Sequence, residues 1–325
     1  MKPKLEDVAE LAQVSKTTVS RVLNNRGYIS QETKDKVYHA MQKLNYQPNS
    51  AARQLYQQKT NIIGLLFPTV ANPFFGELIF ELEKRLYDKG YIVIIGNSMN
   101  NPEKERHYIN QLLSNQIDAL IVGTHNIGIE QYNNRNLPIV AIDRVMNEDI
   151  PDIRSDNLNG GIIATERLIQ QGARHIIHTN GPIDVNTPAN LRQTGYEQTM
   201  HKHGLSPVTY TVDFSLGYEE KSAIFNRIFQ EHPNVDGIFA SNDTDAIQIY
   251  HLAQVLGKRL PDDLKLIGYD GTQLMRYMHP YLTTIIQPIS QIADKAIDIL
   301  EQRIHNKATH QEYIFPVELH EGTTG

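Results

Sequence analysis

Along the chain, the rhythm of hydrophobic and polar positions changes near residue 61. Before that point Leu5, Val8, Ala9, Leu11 and Ala12 recur at helical spacing and predict a first short helix with one apolar stripe. The Gln13-Val14 turn leads to Ser15, whose hydroxyl suits the cap of a second helix. That helix turns Val19, Val22 and Leu23 inward and ends near Asn24-Asn25. Arg26-Gly27 then turns the chain, Ser30 caps a third helix with Val37, Ala40, Met41 and Leu44 inward, and Tyr46-Gln47-Pro48 stops it. Short helices of this kind, the first two joined by a tight turn, predict a helix-turn-helix unit over residues 1–47.

From Asn61 onward, strongly apolar runs alternate with amphipathic helical segments. The runs are IIGLLFP (62–68), YIVIIGNS (91–98), ALIVG (119–123), PIVAID (138–143), HIIHTN (175–180), GIFASN (237–242), LKLIGYD (264–270) and LTTIIQP (282–288). Such alternation predicts an α/β fold with parallel sheets covered by helices on both faces. The length of 61–325 exceeds one sheet of ordinary size and implies two similar lobes with a cleft between them. Ligands bind at the carboxyl ends of strands in such sheets, where the polar residues of NPFF, GNS, IDR, SND, GYDG and QP fall. The connector PNSAARQLYQQKT (48–60) permits a helix but is too short to hold one alone in water.

Charge changes this picture from a generic two-part protein to a specific one. The net charge is −6, yet residues 1–60 carry ten Lys and Arg against five Asp and Glu, a balance of +5, and the remaining 265 carry 21 against 32, a balance of −11. A basic head on an acidic body is the footprint of a nucleic-acid-binding module joined to something else. There are no cysteines, which removes disulfides and thiolate metal sites and agrees with a reducing compartment. The start MKPKLEDVAEL has charges throughout and no apolar core of a leader, and no run approaches the roughly 20 apolar residues of a membrane helix. A cytoplasmic protein without membrane contact is the expectation. Neither a phosphate loop, GxGxxG, HExxH nor GxSxG is present, and the rings of His201 and His203 would point apart on a helix, so no enzyme, cofactor or metal is expected.

Taken in order and at their spacing, LEDVAELAQVSKTTVSRVLN, YQPNSAARQL, NPFF, IDR, SND, GYDG and TTIIQP resemble the LacI/GalR family of sugar-responsive bacterial transcription regulators over the whole chain. HNIGIEQY (125–132), IPDIRSDN (150–157), GYDGT (268–272) and YLTTIIQPI (281–289) look closest to the sucrose operon repressors of Gram-positive bacteria. The resemblance implies a two-lobed body resembling periplasmic binding proteins, with crossovers between lobes near residues 157 and 288. It implies a symmetric homodimer on palindromic operator DNA and a sugar or sugar-phosphate effector. It also implies that residues 48–60 form a hinge helix that pairs with its copy and drives Leu55 into the minor groove, with Ala52 allowing close approach.

The residues at stake follow. The second helix should lie in the major groove, with Lys16, Thr17 and Arg21 toward the bases and Thr18, Ser20, Asn24 and Asn25 toward phosphates. In the cleft, Phe74, Phe75 and Phe214 would stack on sugar C–H faces, and Asp143, Arg192, Asn242, Asp270 and Gln287 would hydrogen-bond the hydroxyls. His125 and Arg144 would help choose the sugar. A ribose operon repressor is the alternative within the family. Regulators that take a phosphorylated carrier protein as corepressor carry Tyr, Asp and Arg where this chain has Ser290, Gln291 and Asp298, and the acid at 298 would oppose phosphate.

Overall fold

The computed structural model describes residues 3–24, 26–47, 59–99, 101–126, 128–185 and 187–325. Asn25, Ala52 and Leu55, and with them most of the 48–60 connector, lie outside the described residues. Two compact units divide the chain, Met1–Thr60 and Asn61–Gly325.

In the first unit, α1 (Leu5–Ala12), α2 (Lys16–Leu23) and α3 (Gln31–Leu44) pack around Val8, Val19 and Val37, all fully buried, with Ala9, Ala12, Val22 and Ala40 beside them. Gln13 takes a left-handed conformation (φ 55°), which lets its N–H and that of Val14 return to the carbonyls of Glu10 and Ala9 and makes the turn into α2 tight. Ser15 Oγ accepts from Thr18 N at 3.0 Å and Ser30 Oγ from Thr33 N at 3.3 Å, so both predicted caps form. Leu11 departs from the expected stripe and is 39% exposed. Six positions after Leu5, it is turned about 120° from the Leu5, Val8, Ala9 and Ala12 face.

The second unit begins with β1 (Ile62–Phe67), α4 (Pro73–Asp88), β2 (Ile92–Asn97), α5 (Pro102–Leu113), β3 (Ala119–Val122), β4 (Ile139–Ile142) and β5 (Asp152–Ser155). It continues with α6 (Asn157–Gln170), β6 (Ile176–Asn180), α7 (Leu191–Lys202), β7 (Val208–Thr211), α8 (Tyr218–Glu231), β8 (Gly237–Phe239) and α9 (Asp243–Val255). It ends with β9 (Lys265–Asp270), α10 (Gln273–Met278), β10 (Thr283–Ile286), α11 (Ile289–Ile304), β11 (Glu312–Phe315) and β12 (Glu318–His320).

Two six-stranded sheets result, ordered β11-β5-β4-β3-β1-β2 and β12-β10-β9-β8-β6-β7. Every pairing is parallel except β10 with β12. Helices α4 and α11 cover one face of the first sheet and α5 the other, while α6 and α7 cover one face of the second sheet and α8 and α9 the other. In each sheet the strand order reverses at one point, between β1 and β3 and between β6 and β8. The chain passes between lobes three times, at Asp156, at Gln287-Pro288 and at Pro316-Val317. That last passage, from β11 to β12, has no counterpart in the reading of the sequence.

Helices α6 and α7 cross with their backbones in contact. A Cβ on Gly161 would overlap the Arg192 carbonyl, and one on Gly195 would overlap the Leu158 carbonyl. Small residues at this crossing therefore set how close Arg192, at the start of α7, comes to the start of α6. Gly161→Ala should cost about 1–3 kcal/mol through overpacking, although Gly to Ala in an open helix stabilises. Urea denaturation of the variant reads this directly; an unchanged or raised midpoint would mean that the two backbones do not meet there.

Candidate functional site

Between the carboxyl edges of the two sheets lies a cavity of about 180 Å³. The first lobe contributes Pro68 and Thr69 after β1, the start of α4, His125 after β3 and Asp143 after β4. From the second lobe come Asn180 after β6, Ser241 and Asn242 after β8, Asp270 at the end of β9, and the turn that precedes α7. Both reversals of strand order open onto it, the place where parallel sheets bind ligands.

Its floor is a chain of buried polar groups. Arg192, 6% exposed, donates Nε to Asn157 Oδ1 at 2.8 Å and Nη1 to the Ser241 carbonyl at 2.7 Å. Its guanidinium lies 3.6 Å over the Tyr269 ring and 3.9 Å from Asp270 Oδ1. Gln287 donates Nε2 to the same Asp270 oxygen at 2.8 Å, and its Oε1 accepts from Ser155 Oγ at 2.7 Å. Asn157 donates Nδ2 to Asp143 Oδ1 at 3.1 Å, so one amide ties an acid of the first lobe to the arginine of the second. Asp143 and Asp270 both hold positive φ, 52° and 107°, a backbone cost that persists where the surroundings fix the residue.

The electrostatics follow from burial. Desolvation pushes the Asp270 carboxyl up to about 7 despite the pull of Arg192 and the Gln287 amide. Behind it Asp243, 1% exposed, is raised well above the usual carboxylate range by burial and then by Asp270. Asp243 accepts from Gly271 N at 2.8 Å and from Thr284 Oγ1 at 2.5 Å. His125 is held below its ordinary range by burial.

The aromatic residues stand at the mouth. Phe74 and Phe75 open α4 under an Asn72 cap, Asn72 Oδ1 accepting from Phe74 N at 2.8 Å, and their rings meet edge to face at 5.3 Å. Phe74 is 6% exposed and mostly core, and Phe75 packs partly against the same core. Phe214, 40% exposed, sits 4.9 Å from the His125 ring, one from each lobe. Two other contacts bridge the lobes there: Thr187 Oγ1 donates to the Asp143 carbonyl at 3.2 Å, and Gln273 N to Glu77 Oε2 at 2.7 Å.

Phe74, Phe75, His125, Asp143, Arg192, Phe214, Asn242, Asp270 and Gln287 thus line one cavity. Arg144 does not join them, a correction to the expectation from sequence. Its Nη1 bonds Glu105 Oε1 at 2.6 Å and also Thr124 Oγ1, its Nη2 bonds the Asn126 carbonyl, and Asn126 Nδ2 reaches Glu105 Oε2 at 2.7 Å. Glu105 is fully buried in α5, and a buried carboxylate demands that partner more strongly than the open cleft does. Asn242 spends its carbonyl oxygen as the cap of α9, accepting from Asp245 N at 2.8 Å. Sequence reasoning missed Asn157, Asn180, Thr187 and Asn190.

In the first unit, α2 presents Lys16, Thr17 and Arg21 exposed, with Ser20 and Asn24 partly so, opposite the buried Val19 and Val22. Thr18 shares its hydroxyl with Ser15 Oγ at 2.8 Å, Asn24 Nδ2 turns back to the Ser20 carbonyl at 2.8 Å, and Lys16 pairs with Glu6 of α1. Tyr28, 99% exposed in the turn that follows, had not been singled out.

Residues 4–49 match the model of the lacI family of bacterial regulatory proteins, and residues 165–324 match that of a periplasmic binding protein-like domain. The chain is 44% identical over 326 residues to a sucrose operon repressor of Pediococcus pentosaceus, covering 100% of both chains. It is 39% identical over 303 residues to a ribose operon repressor of Halalkalibacterium halodurans, covering 93% of this chain and 91% of that one. Among solved structures it is similar to the Lac repressor dimer bound to operator and the anti-inducer ONPF, with a TM-score of 0.86 and 25% identity, over 100% of this chain and 99% of that one.

A folded Asp270 keeps its proton up to about pH 7, whereas an unfolded one releases it near pH 4, so this group makes stability fall as pH rises from about 4 to about 7. Asp152, pushed up to about 6 by burial, adds the same sign, while His178, pushed down to about 4, opposes it. The informative quantity is therefore the difference between variant and parent. Asp270→Asn should gain stability relative to the parent between pH 5 and pH 7 in urea denaturation; a pH-independent difference would show that the carboxyl is not desolvated.

Proposed function

We propose, from the premise that the chain belongs to the lacI family of bacterial regulatory proteins, that it represses a sucrose-utilisation operon in the cytoplasm and leaves its operator when a sugar fills the cleft. The observation that carries the sugar is identity along the entire chain with a sucrose operon repressor. A lower identity over fewer residues to a ribose operon repressor makes ribose the second reading.

In this reading α2 enters the major groove. Arg21 offers a planar fork to guanine O6 and N7, Thr17 meets a base edge or a thymine methyl, and Lys16 exchanges Glu6 for DNA. Thr18, Ser20, Asn24 and Asn25 hold phosphates, and Ala52 and Leu55 supply the minor-groove wedge. Two copies read a palindrome. The apolar surface for a second copy is present: the edge strand β2 exposes Ile92 (63%) and Ile95 (43%), and the second lobe exposes Val255 (84%) and Tyr277 (86%).

The effector works by linkage. Hydroxyls that bridge Asp143 of the first lobe and Arg192 and Asp270 of the second favour one arrangement of the lobes, with the Phe rings against the C–H faces. A hundredfold loss of operator affinity requires about 2.7 kcal/mol of such coupling.

Arg21→Ala should weaken operator binding by about 1–3 kcal/mol while leaving the fold intact, since the side chain is exposed. Fluorescence anisotropy on the chain's own promoter at fixed salt measures this and, on titration with sucrose, fructose and ribose, the release. Release by sucrose supports the reading. Release by ribose alone replaces the sugar, and tightening by a phosphorylated carrier protein replaces the effector class.

A further inference from the structure

The charge of the effector is legible in the cleft, on the reading above that the cleft takes a sugar. We infer that the effector is an uncharged sugar and that the cleft rejects phosphorylated forms of it.

A phosphate ester carries nearly two negative charges at neutral pH and is held by clustered Arg and Lys, by free backbone N–H groups, or by an open helix N-terminus. Among the described residues of the cleft, clustered Arg and Lys and an open helix N-terminus are missing. Among the described residues that line it, Arg192 is the one Lys or Arg side chain. Arg192 spends Nε on Asn157 and Nη1 on the Ser241 carbonyl, and its charge is already faced by Asp270 at 3.9 Å and by the Tyr269 ring. Two carboxyls, Asp143 and Asp270, share the lining, and Asp243 stands behind them with only neutral donors as hydrogen-bond partners. Each is acidic or neutral and never cationic, so a phosphate placed here finds no countercharge in them and keeps its own charge in a low dielectric. His125 adds nothing, because burial favours its neutral form.

Helix ends are closed to an anion as well. Asn72 Oδ1 accepts from Phe74 N at 2.8 Å and Phe75 N at 3.4 Å at the start of α4. At α9, Asn242 Oδ1 holds Asp245 N at 2.8 Å, and Asp243 and Asp245 already occupy the favourable end of the helix dipole. Helix α7 continues a 3₁₀ turn, Pro188–Asn190, whose Ala189 N–H is taken by Thr187 Oγ1 at 3.4 Å. What remains is uncharged: Thr69, Asn180, Thr187, Asn190, Asn242 and Gln287 offer amides and hydroxyls, the partners that sugar hydroxyls need.

Isothermal titration of the full-length protein at pH 7.5 and fixed salt tests this with sucrose, fructose and ribose against sucrose 6-phosphate, fructose 6-phosphate and ribose 5-phosphate. The expected result is that the sugar that binds does so at least about 100-fold more tightly than its phosphate, about 2.7 kcal/mol. A phosphate that binds as tightly as its parent or more so overturns the inference and leaves the repressor reading standing. Absence of binding by every one of the six at millimolar concentration instead removes the sugar reading and this inference with it. Ala189→Lys, which adds a cation to the lining, should narrow the gap about tenfold if charge sets it. An unchanged gap in a folded variant that still binds the parent sugar overturns the electrostatic basis.

Discussion

A buried arginine must be paired, and much of the body's architecture follows from pairing this one. Arg192 is 6% exposed at the base of a cleft, within reach of Asp270, Asn157 and the Ser241 carbonyl. Leaving any of those unmade would strand a charge in low dielectric, at a cost of several kcal/mol. The partners come from the start of α6, the segment after β8 and the end of β9, so satisfying one guanidinium on α7 ties four elements together. Gly161 and Gly195 are the steric side of the same constraint, because a methyl group at either would push α7 away from α6 and lift Arg192 off Asn157.

The sequence made legible what periodicity and order encode. All eight apolar runs are strands, and they include the central strands of both sheets. The four strands it did not mark explain themselves. Strand β5 reads Asp-Ile-Arg-Ser and has no apolar run, yet it is buried, because Arg154 and Asp152 satisfy each other at 2.9 Å. Strands β7, β11 and β12 lie at sheet edges, where one side faces solvent and short polar-apolar mixtures suffice. Of the nine cleft residues, all but Phe214, which follows the unmarked strand β7, were legible because each ends or follows an apolar run or opens a helix. Arg144 met the same rule and broke it, since nothing local to Asp143-Arg144 announces a buried Glu105, 39 positions earlier. Asn157 escaped for the reverse reason: its role comes from two lobes meeting, and neither lobe's periodicity carries that information.

Charge is divided between the two units by purpose. A positive head gains affinity from phosphate contacts of any sequence, a term that grows as salt falls. A body at −11 offers no such attraction, so the electrostatic pull toward DNA is concentrated in the head. Within the head, Lys16 rests on Glu6 and Asn24 on the Ser20 carbonyl, so these two of the groups proposed to meet DNA have partners to exchange.

Contacts between the lobes fall into two sets with different consequences. Those at the crossovers, Ser155 with Gln287 and Asn157 with Arg192 and Asp143, lie on or beside the hinge segments and survive a rotation about them. Thr187 with the Asp143 carbonyl, Gln273 with Glu77, and Phe214 with His125 join the lobes through residues outside those segments. At the mouth, burial raises the Glu77 carboxyl above its usual range, against the pull of the Gln273 N–H, and lowers the His125 imidazole below its own. The arrangement of the lobes therefore rests on a balance among contacts of both sets. A ligand that adds hydrogen bonds from Asp143 across to Arg192 and Asp270 tips that balance through groups the hinge already holds in place, which is how a small uncharged molecule could exert leverage over the rest of the chain.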